Sequence, residues 1–206
     1  MPDIFIVIEG LDGAGSTTQV SKLAEYIKQR GFRVLTTKEP TNNIIGGLIR
    51  GQLTKDWHTD QDCLQLLFAA DRAHHLEKEI NPALLNDYVV ISDRYFFSTI
   101  AYGSLDADYE WLKKLNEKFR FPDLYFIIDT VPEVCIERMK KSRYQLELFE
   151  DLEKLKKVRE NFLRLSKEYK NVYVIDGNKL IEDVFDDIKI IVKQKLPQKE
   201  LTENAN

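Results

Sequence analysis

Short apolar runs alternate with amphipathic segments along most of this chain. A short apolar run bounded by turn residues is typical of a buried strand, and apolar residues at helical spacing are typical of a surface helix. Strands that alternate with helices form a parallel sheet covered on both faces. We therefore predict a three-layer α/β fold with a five-stranded parallel sheet flanked by helices. The predicted strands are Ile4–Ile8, Arg33–Thr37, Tyr88–Ser92, Leu124–Asp129 and Val172–Asp176.

Capping and breaking residues set the limits of the predicted helices. A helix from Thr17 to Arg30 is closed by Gly31, and a second from Asp60 to about Ile80 is expected to end at Asn81-Pro82, because the residue before proline disfavours helical geometry. The segment with Gly46-Gly47 between them is expected to be a loop. The remaining predicted helices are Phe97–Tyr102, Tyr109–Lys118, Pro132 to about Lys141, about Leu148–Tyr169, and one that follows Asp176-Gly177-Asn178 and ends before Pro197.

Composition narrows the classes of function. A chain of 206 residues that is 43% hydrophobic is long enough for one well-packed domain. The net charge of −4 argues against a general nucleic-acid binder and favours a small anionic substrate. Cys63 and Cys135 lack metal-ligand spacing, so we expect them to be small buried hydrophobes in a reducing compartment. We find no signal peptide and no membrane span, and we expect a cytoplasmic protein without membrane partners.

The turn after the first strand has the features of a phosphate-binding loop. Gly10, Gly13 and Gly15 allow a tight turn with inward-facing amides, and the following helix adds the positive end of its dipole. The P-loop pattern is G-x-x-x-x-G-K-[ST], and Gly10, Gly15 and Thr17 fit it while Ser16 occupies the lysine position. An ordinary strand-to-helix turn is the alternative. A P-loop threonine binds magnesium, so Thr17 is a candidate metal ligand.

Other candidates follow later strands, whose carboxyl ends should meet in one crevice beside the P-loop. Asp93 could bind magnesium or its waters, or it could cap the next helix. Arg94 suits bidentate phosphate binding, with a surface ion pair as the alternative. Phe68 and Arg72 share a helix face and could stack on a base and bind its edge, although Phe68 alone would more often be a core residue.

Several ordered motifs are spread from Ile4 to about Val184. They are Glu9-Gly10-x-Asp12-Gly13-x-Gly15, Lys38-Glu39-Pro40-Thr41, Leu67-Phe68-x-x-x-Arg72, Asp93-Arg94-Tyr95-x-x-Ser98-x-x-Ala101-Tyr102, Pro122-Asp123-Leu124 and Val174-Ile175-Asp176. Each motif alone is weak, but in this order and spacing they together resemble the thymidylate kinase family of P-loop nucleoside monophosphate kinases. The resemblance implies magnesium-dependent transfer of the ATP γ-phosphoryl group to dTMP, and a homodimer.

The resemblance also implies a role for each matching residue. Phe68 would stack on thymine, Arg72 would bind its edge, and Arg94 would hold the monophosphate. Asp12 would contact the deoxyribose 3′-hydroxyl or its magnesium-linked water, and Tyr102 would close the sugar pocket. The other residues expected on the acceptor side are Glu39, Pro40 and Ser98. Those expected to bind ATP are Gly10, Gly13, Ala14, Gly15, Ser16, Thr17, Thr18, Arg138, Asp176 and Gly177, with Thr17 and Asp93 at the metal.

The family also has a mobile lid, which would lie at about residues 138–147 of a kinase domain spanning residues 1–196, before a flexible tail at 197–206. This region is rich in cations, although a solvated helix end is the alternative reading. Because Ser16 removes the P-loop cation, we expect Arg143, with Lys141 or Arg138, to supply transition-state charge beside Asp12 and Arg94. Two rival functions remain: a nucleotide-binding regulator or degenerate paralogue with little turnover, and a kinase for another deoxynucleotide.

Overall fold

The sheet has five parallel strands in the order β2-β3-β1-β4-β5, which confirms the predicted α/β fold. The computed structural model describes residues 3–142 and 152–196, with only the backbone for residues 141 and 142. The predicted strand positions are correct to within two residues. The strands are β1 Ile4–Gly10, β2 Arg33–Lys38, β3 Tyr88–Asp93, β4 Leu124–Asp129 and β5 Val172–Asp176.

The three central strands, β1, β3 and β4, form the middle of the core. Most of their side chains are buried because helices cover both faces. The register aligns Ile8 of β1 with Asp93 of β3, and Gly10 with Ile128 of β4. The carboxyl ends of these strands therefore meet at one edge of the sheet, where the turn after β1 begins.

The helices pack their apolar stripes against this sheet. In α1, for example, Val20, Leu23, Ala24 and Ile27 are buried at helical spacing. The helices are α1 Ser16–Gln29, α2 Ile44–Leu53, α3 Gln61–His75, α4 Asn81–Leu85, α5 Phe96–Gly103, α6 Tyr109–Asn116, α7 Pro132–Ser142, α8 Leu152–Glu168 and α9 Ile181–Lys195.

The prediction that the second long helix ends at Asn81-Pro82 is wrong. After α3 the chain continues through a π-helical turn, Leu76–Ile80, directly into α4. Asn81 keeps right-handed helical geometry although proline follows it. Pro82 lies in the first turn of α4, where its missing amide hydrogen costs little. The wider π turn is the local irregularity that accommodates the proline.

The prediction of a loop around Gly46-Gly47 is also wrong, because both glycines lie within α2. The side chain of Asn43 caps this helix by accepting a hydrogen bond from the Gly46 amide at 3.1 Å. A Cβ atom at Gly46 would lie 1.9 Å from the carbonyl oxygen of Thr41. Position 46 therefore requires glycine, because the Thr41 backbone lies too close for any side chain. The sequence alone does not reveal this contact.

The two cysteines are not joined in a disulfide, and they differ in exposure. Cys135 is buried in α7 as expected, whereas Cys63 is only half-buried in α3. Among the described residues, no helix is both long and apolar enough to cross a membrane. The start of the helix predicted from about Leu148 lies outside the described residues, as do the predicted tail at 197–206 and most of the predicted lid.

Candidate active site

The turn between β1 and α1 is held close to neighbouring backbone. Gly13 and Gly15 adopt positive φ angles of 83° and 104°, which favour glycine. A Cβ atom on Gly13 would lie 2.6 Å from the carbonyl oxygen of Cys135 in α7. Gly15 is the N-cap of α1, so Ser16 is the first residue of that helix and lies almost fully buried. The loop thus presents its backbone and a helix N-terminus, and carries no cationic side chain between Gly10 and Thr18.

The side chains of Thr17 and Asp93 lie next to each other and offer oxygen atoms of the kind that magnesium prefers as ligands. The Thr17 hydroxyl donates to Asp93 Oδ2 at 2.5 Å. Asp93 Oδ1 is buried and has no hydrogen-bond partner among the described residues. Tyr95, not Asp93, is the N-cap residue of α5, and the Tyr95 side chain makes no capping hydrogen bond among the described residues. A hydroxyl beside an unsatisfied carboxylate oxygen fits a magnesium ion or its bound waters. Both residues border a cavity of about 730 Å³.

A second cavity, the acceptor cavity, has a volume of about 560 Å³. It lies beside the phosphate-binding turn, because Asp12 of that turn is in its wall. Residues from the turn after β1 and from β2, α2, α3 and α5 reach it from segments that are far apart in sequence. The residues expected on the acceptor side all line it: Asp12, Glu39, Pro40, Phe68, Arg72, Arg94, Ser98 and Tyr102.

Arg94 is fixed from several directions at the mouth of this cavity. Its guanidinium donates to Ser98 Oγ at 2.9 Å and to the Gly10 carbonyl at 3.3 Å, and it pairs with Asp12 Oδ1. Its backbone has a φ of 72°, which is unusual for a residue other than glycine. Burial, the largest single effect, disfavours the charged guanidinium, but the surrounding acidic groups, Asp12, Tyr102, Glu9 and Asp93, together outweigh it and raise the pKa of Arg94 above its usual value. Arg94 therefore remains a cation.

Arg72 is the second arginine of the acceptor cavity considered for dTMP, and it is fully buried. Its guanidinium donates to Asn116 Oδ1 at 2.6 Å and to Thr99 Oγ1 at 2.9 Å, and it forms an ion pair with Glu39 Oε2 at 2.7 Å. His75 Nδ1 lies 3.1 Å from the other Glu39 oxygen. The Nε atom of Arg72 is buried and has no hydrogen-bond partner among the described residues.

Phe68 is half-buried in the cavity wall and is not part of the main hydrophobic core. Gln65 lies on the same face of α3, one turn earlier, and its Oε1 atom is buried with no hydrogen-bond partner in the described part of the chain. The backbone of Gly103 packs against this amide, since a Cβ atom there would lie 3.0 Å from Gln65 Cδ. Sequence analysis missed Gln65, Thr99 and Asn116, because single polar residues within helices carry no motif.

Glu9 is a further residue whose role the sequence did not reveal, although it is part of a quoted motif. It is fully buried, and its carboxylate accepts hydrogen bonds from Tyr95, Ser98 and Tyr125. Burial raises the pKa of Glu9 to about 7, against the lowering effects of Arg94 and of these hydrogen bonds. A signal for it existed, since a charged residue closes an otherwise apolar strand.

Three of the residues expected to bind ATP, Arg138, Asp176 and Gly177, lie outside the turn between β1 and α1. Arg138 of α7 donates to the Ala14 carbonyl at 3.2 Å and to the Gly177 carbonyl at 3.1 Å. It therefore joins the turn to the loop after β5. Asp176 is exposed, and its carboxylate accepts hydrogen bonds from Asn178. The side chain of Lys141 and all of Arg143 lie outside the described residues, so their expected roles stay predictions.

The family model for thymidylate kinase matches residues 8–188 of the chain. The chain belongs to the thymidylate kinase family. A probable thymidylate kinase from Methanosphaera stadtmanae is 42% identical over 90% of this chain and 95% of its own length. A probable thymidylate kinase from Thermococcus onnurineus is 39% identical over 94% of this chain and 98% of its own length. A thymidylate kinase from Thermosipho africanus is 37% identical over 94% and 99%. The predicted family is thus confirmed over nearly the whole chain.

Proposed function

We propose that this protein is a dTMP kinase that transfers the γ-phosphoryl group of ATP to dTMP and releases dTDP and ADP. The observation that carries the proposal is the acceptor cavity, in which an aromatic face, two arginines and a tyrosine converge beside a phosphate-binding turn. An oxygen of the dTMP phosphate attacks the γ-phosphorus, and the bond to the β-phosphate oxygen breaks. Family membership supports the same reaction.

The acceptor cavity can hold each part of dTMP. Phe68 offers a half-buried ring for stacking on thymine, and Arg72, in the wall of the same cavity, would donate to a carbonyl of the base. Arg94 supplies a permanent cation for the monophosphate. Asp12 and Tyr102 bound the space for deoxyribose, and their positions are linked because the Asp12 amide donates to the Tyr102 hydroxyl at 3.1 Å. The remaining expected acceptor residues, Glu39, Pro40 and Ser98, complete the wall.

ATP would bind at the turn between β1 and α1. The backbone amides of residues 10–18 and the N-terminus of α1 would cradle its phosphates. Magnesium, held between Thr17 and Asp93 with the phosphates, would neutralise charge that develops during transfer. The adenine would lie near Asp176 and Gly177, beside Arg138. The unpartnered oxygen of Asp93 supports this assignment of the metal.

The missing P-loop lysine calls for another source of positive charge. Arg138 of α7 donates to the Ala14 carbonyl, and this hydrogen bond stabilises the turn between β1 and α1. We propose that Arg143, with Lys141 or Arg138, supplies the charge near the transferred phosphoryl group when the lid at about residues 138–147 closes. A closed lid would also exclude water and protect ATP from hydrolysis.

We further propose that residues 1–196 act as one kinase domain in a cytoplasmic homodimer. The apolar stretches Leu64–Leu76 and Ile100–Tyr102 mainly serve the core of the protomer, because Leu64, Leu76, Ile100 and Ala101 are buried. Exposed apolar side chains on α2 and α3, Ile44, Leu48 and Leu66, offer a better surface.

The decisive experiment is a coupled assay of ADP release with magnesium, ATP and each nucleoside monophosphate in turn. We expect turnover with dTMP at the highest kcat/KM of the set. A higher value with another deoxynucleotide would identify a kinase for that substrate. Measurable dTMP binding without turnover of any monophosphate would instead favour a nucleotide-binding regulator.

A further inference from the structure

Glu9 occupies an unusual position for a carboxylate. It is the last side chain of β1 before Gly10, the first glycine of the phosphate-binding turn, and it is fully buried. A buried carboxylate is costly unless hydrogen bonds replace its lost water. Glu9 is not one of the two residues proposed to hold magnesium, Thr17 and Asp93, and it does not line the acceptor cavity. Its presence in the core therefore needs another explanation.

The donors to Glu9 come from the start of α5 and from β4. Glu9 Oε1 accepts hydrogen bonds from the Tyr95 amide at 2.8 Å, the Ser98 amide at 3.0 Å and the Tyr125 hydroxyl at 3.0 Å. Glu9 Oε2 accepts one from the Ser98 hydroxyl. Since Tyr95 is the N-cap of α5 and provides no side-chain cap itself, Glu9 caps this helix from a different strand.

The same contacts hold Arg94 in place. Arg94 directly precedes the capped turn, and its left-handed backbone is of a kind that persists only when the surroundings impose it. Its guanidinium donates to Ser98 Oγ, the hydroxyl that in turn donates to Glu9. It also donates to the carbonyl of Gly10, the residue after Glu9. Glu9 is thus attached to both the phosphate-binding turn and the arginine of the acceptor cavity.

These contacts depend on the charge of Glu9. An ionised carboxylate can accept all four hydrogen bonds, whereas a protonated one carries a hydrogen on one oxygen and loses an acceptor site. The charged group that faces Glu9 is Arg94, at the end of β3. The titratable hydroxyl of Tyr125 faces it from β4, while Tyr95 and Ser98 face it from the start of α5. Because burial raises the pKa of Glu9 to about 7, its charge changes near neutral pH.

We propose that Glu9 is a positioning residue for phosphoryl transfer: as the ionised carboxylate, it holds Arg94 through Ser98 and aligns the acceptor phosphate with the phosphate-binding turn. The proposal rests on the proposed function, since Arg94 is taken as the group that binds the dTMP phosphate. Glu9 itself touches neither substrate. Loss of its charge should therefore weaken use of dTMP while leaving ATP binding intact.

The test is steady-state kinetics of Glu9→Gln, which has nearly the same shape as the protonated glutamic acid. At about pH 8 we expect KM for dTMP to rise about tenfold or more, because a hydrogen bond to a charged group is worth roughly 1.5–3 kcal/mol. KM for ATP should change less than about twofold. The wild-type enzyme should also lose kcat/KM for dTMP between about pH 8 and about pH 6 more steeply than the variant. The acidity of the dTMP phosphate affects both proteins equally.

Ser98→Ala gives an independent measurement should the glutamine variant fold poorly. It should raise KM for dTMP selectively, and in combination with Glu9→Gln its effect should be less than additive. Ser104→Ala is the matched control at the end of the same helix, because Ser104 is the C-cap residue of α5, its hydroxyl donates to the Ile100 carbonyl, and it is not among the described residues that line the acceptor cavity. We expect Ser104→Ala to leave both KM values unchanged.

Equal changes in both KM values, or identical pH profiles for wild type and Glu9→Gln, would overturn the role of Glu9 and leave the kinase assignment intact. A Ser98→Ala variant that behaves like Ser104→Ala would also overturn it. Absence of turnover with every monophosphate in the wild-type protein is a different result, since it would reject the proposed function and this role with it.

Discussion

Charged side chains within the core of this protein are held by partners from other elements. Arg72 of α3 depends on Glu39 after β2, on Asn116 of α6 and on Thr99 of α5. Glu9 of β1 depends on residues of α5 and β4. Removing one partner would leave a buried charge unpaired, which is more costly than exchanging both for apolar groups. Individual substitutions at this scale therefore affect stability and binding together.

The stability of the protein should carry a pH-dependent contribution from Glu9. The pKa of Glu9 is raised from 4.5 to about 7 in the folded state, so the folded state binds more protons than the unfolded state between these values. The contribution of Glu9 to stability therefore falls as pH rises through this window. Relative to Glu9→Gln, wild type should lose at most about 3 kcal/mol of unfolding free energy between about pH 5 and about pH 8. Urea denaturation of both proteins measures this, and a constant difference would contradict it.

Ser16 at the lysine position gives a second prediction at the residue scale. We expect Ser16→Lys to raise kcat at least about tenfold, because a well-placed cation near the transferred phosphoryl group is worth several kcal/mol of barrier. Arg143→Ala should lower kcat by about tenfold or more with little change in dTMP affinity, and less so in the Ser16→Lys background. Rapid-quench kinetics of the four proteins measures the transfer step. Unchanged transfer in Arg143→Ala would remove the idea of a lid cation.

At the scale of elements, the segments that connect strands to helices position the residues of the site as much as the strands do. The segment before α2 is anchored because the amide and hydroxyl of Thr41 both donate to Asp71, at 2.8 and 2.6 Å. Asp71 directly precedes Arg72, and α2 packs on α3. The short helix α2 thereby supports the acceptor cavity, although the sequence favoured a loop there.

The adjacent glycines of α2 should respond in opposite directions to the same substitution. Gly46→Ala places a methyl group against the Thr41 carbonyl, so we expect a loss of about 3 kcal/mol of unfolding free energy and a higher KM for dTMP. Gly47 has open space, with its nearest neighbour 3.9 Å away. Gly47→Ala should therefore gain about 0.5–1 kcal/mol from helix propensity. Chemical denaturation separates the two, and equal effects would argue against this packing.

At the scale of the whole molecule, exposed apolar residues on α2 and α3 bear on assembly. Leu66, on the helix α3 that also lines the acceptor cavity, is 51% exposed, and Ile44 of α2 is 85% exposed. Side chains of this kind on neighbouring helices are typical of an interface between subunits. A dimer through this face would place its contact directly behind α3, which carries Phe68 and Arg72.

We expect the wild-type protein to be a dimer and Leu66→Glu to shift it towards monomer, since a charge in an apolar interface is costly. Leu85→Glu is the matched control, because Leu85 is 86% exposed at the end of α4, away from α2 and the Leu66 face of α3. Light scattering coupled to size-exclusion chromatography measures the mass of each. A monomeric wild type, or a Leu66→Glu dimer as stable as the control, would contradict the assignment of this face.

The sequence alone determined the five strands, most of the helices between them and the family, because periodicity, glycine spacing and ordered motifs are local properties of the chain. Tertiary structure alone decided which polar residues became buried partners, as with Glu9, Thr99 and Asn116. It also allowed the helical run through Pro82 and placed Gly46 against Thr41. Burial and close backbone approach arise only when distant segments pack together, so no local pattern encodes them.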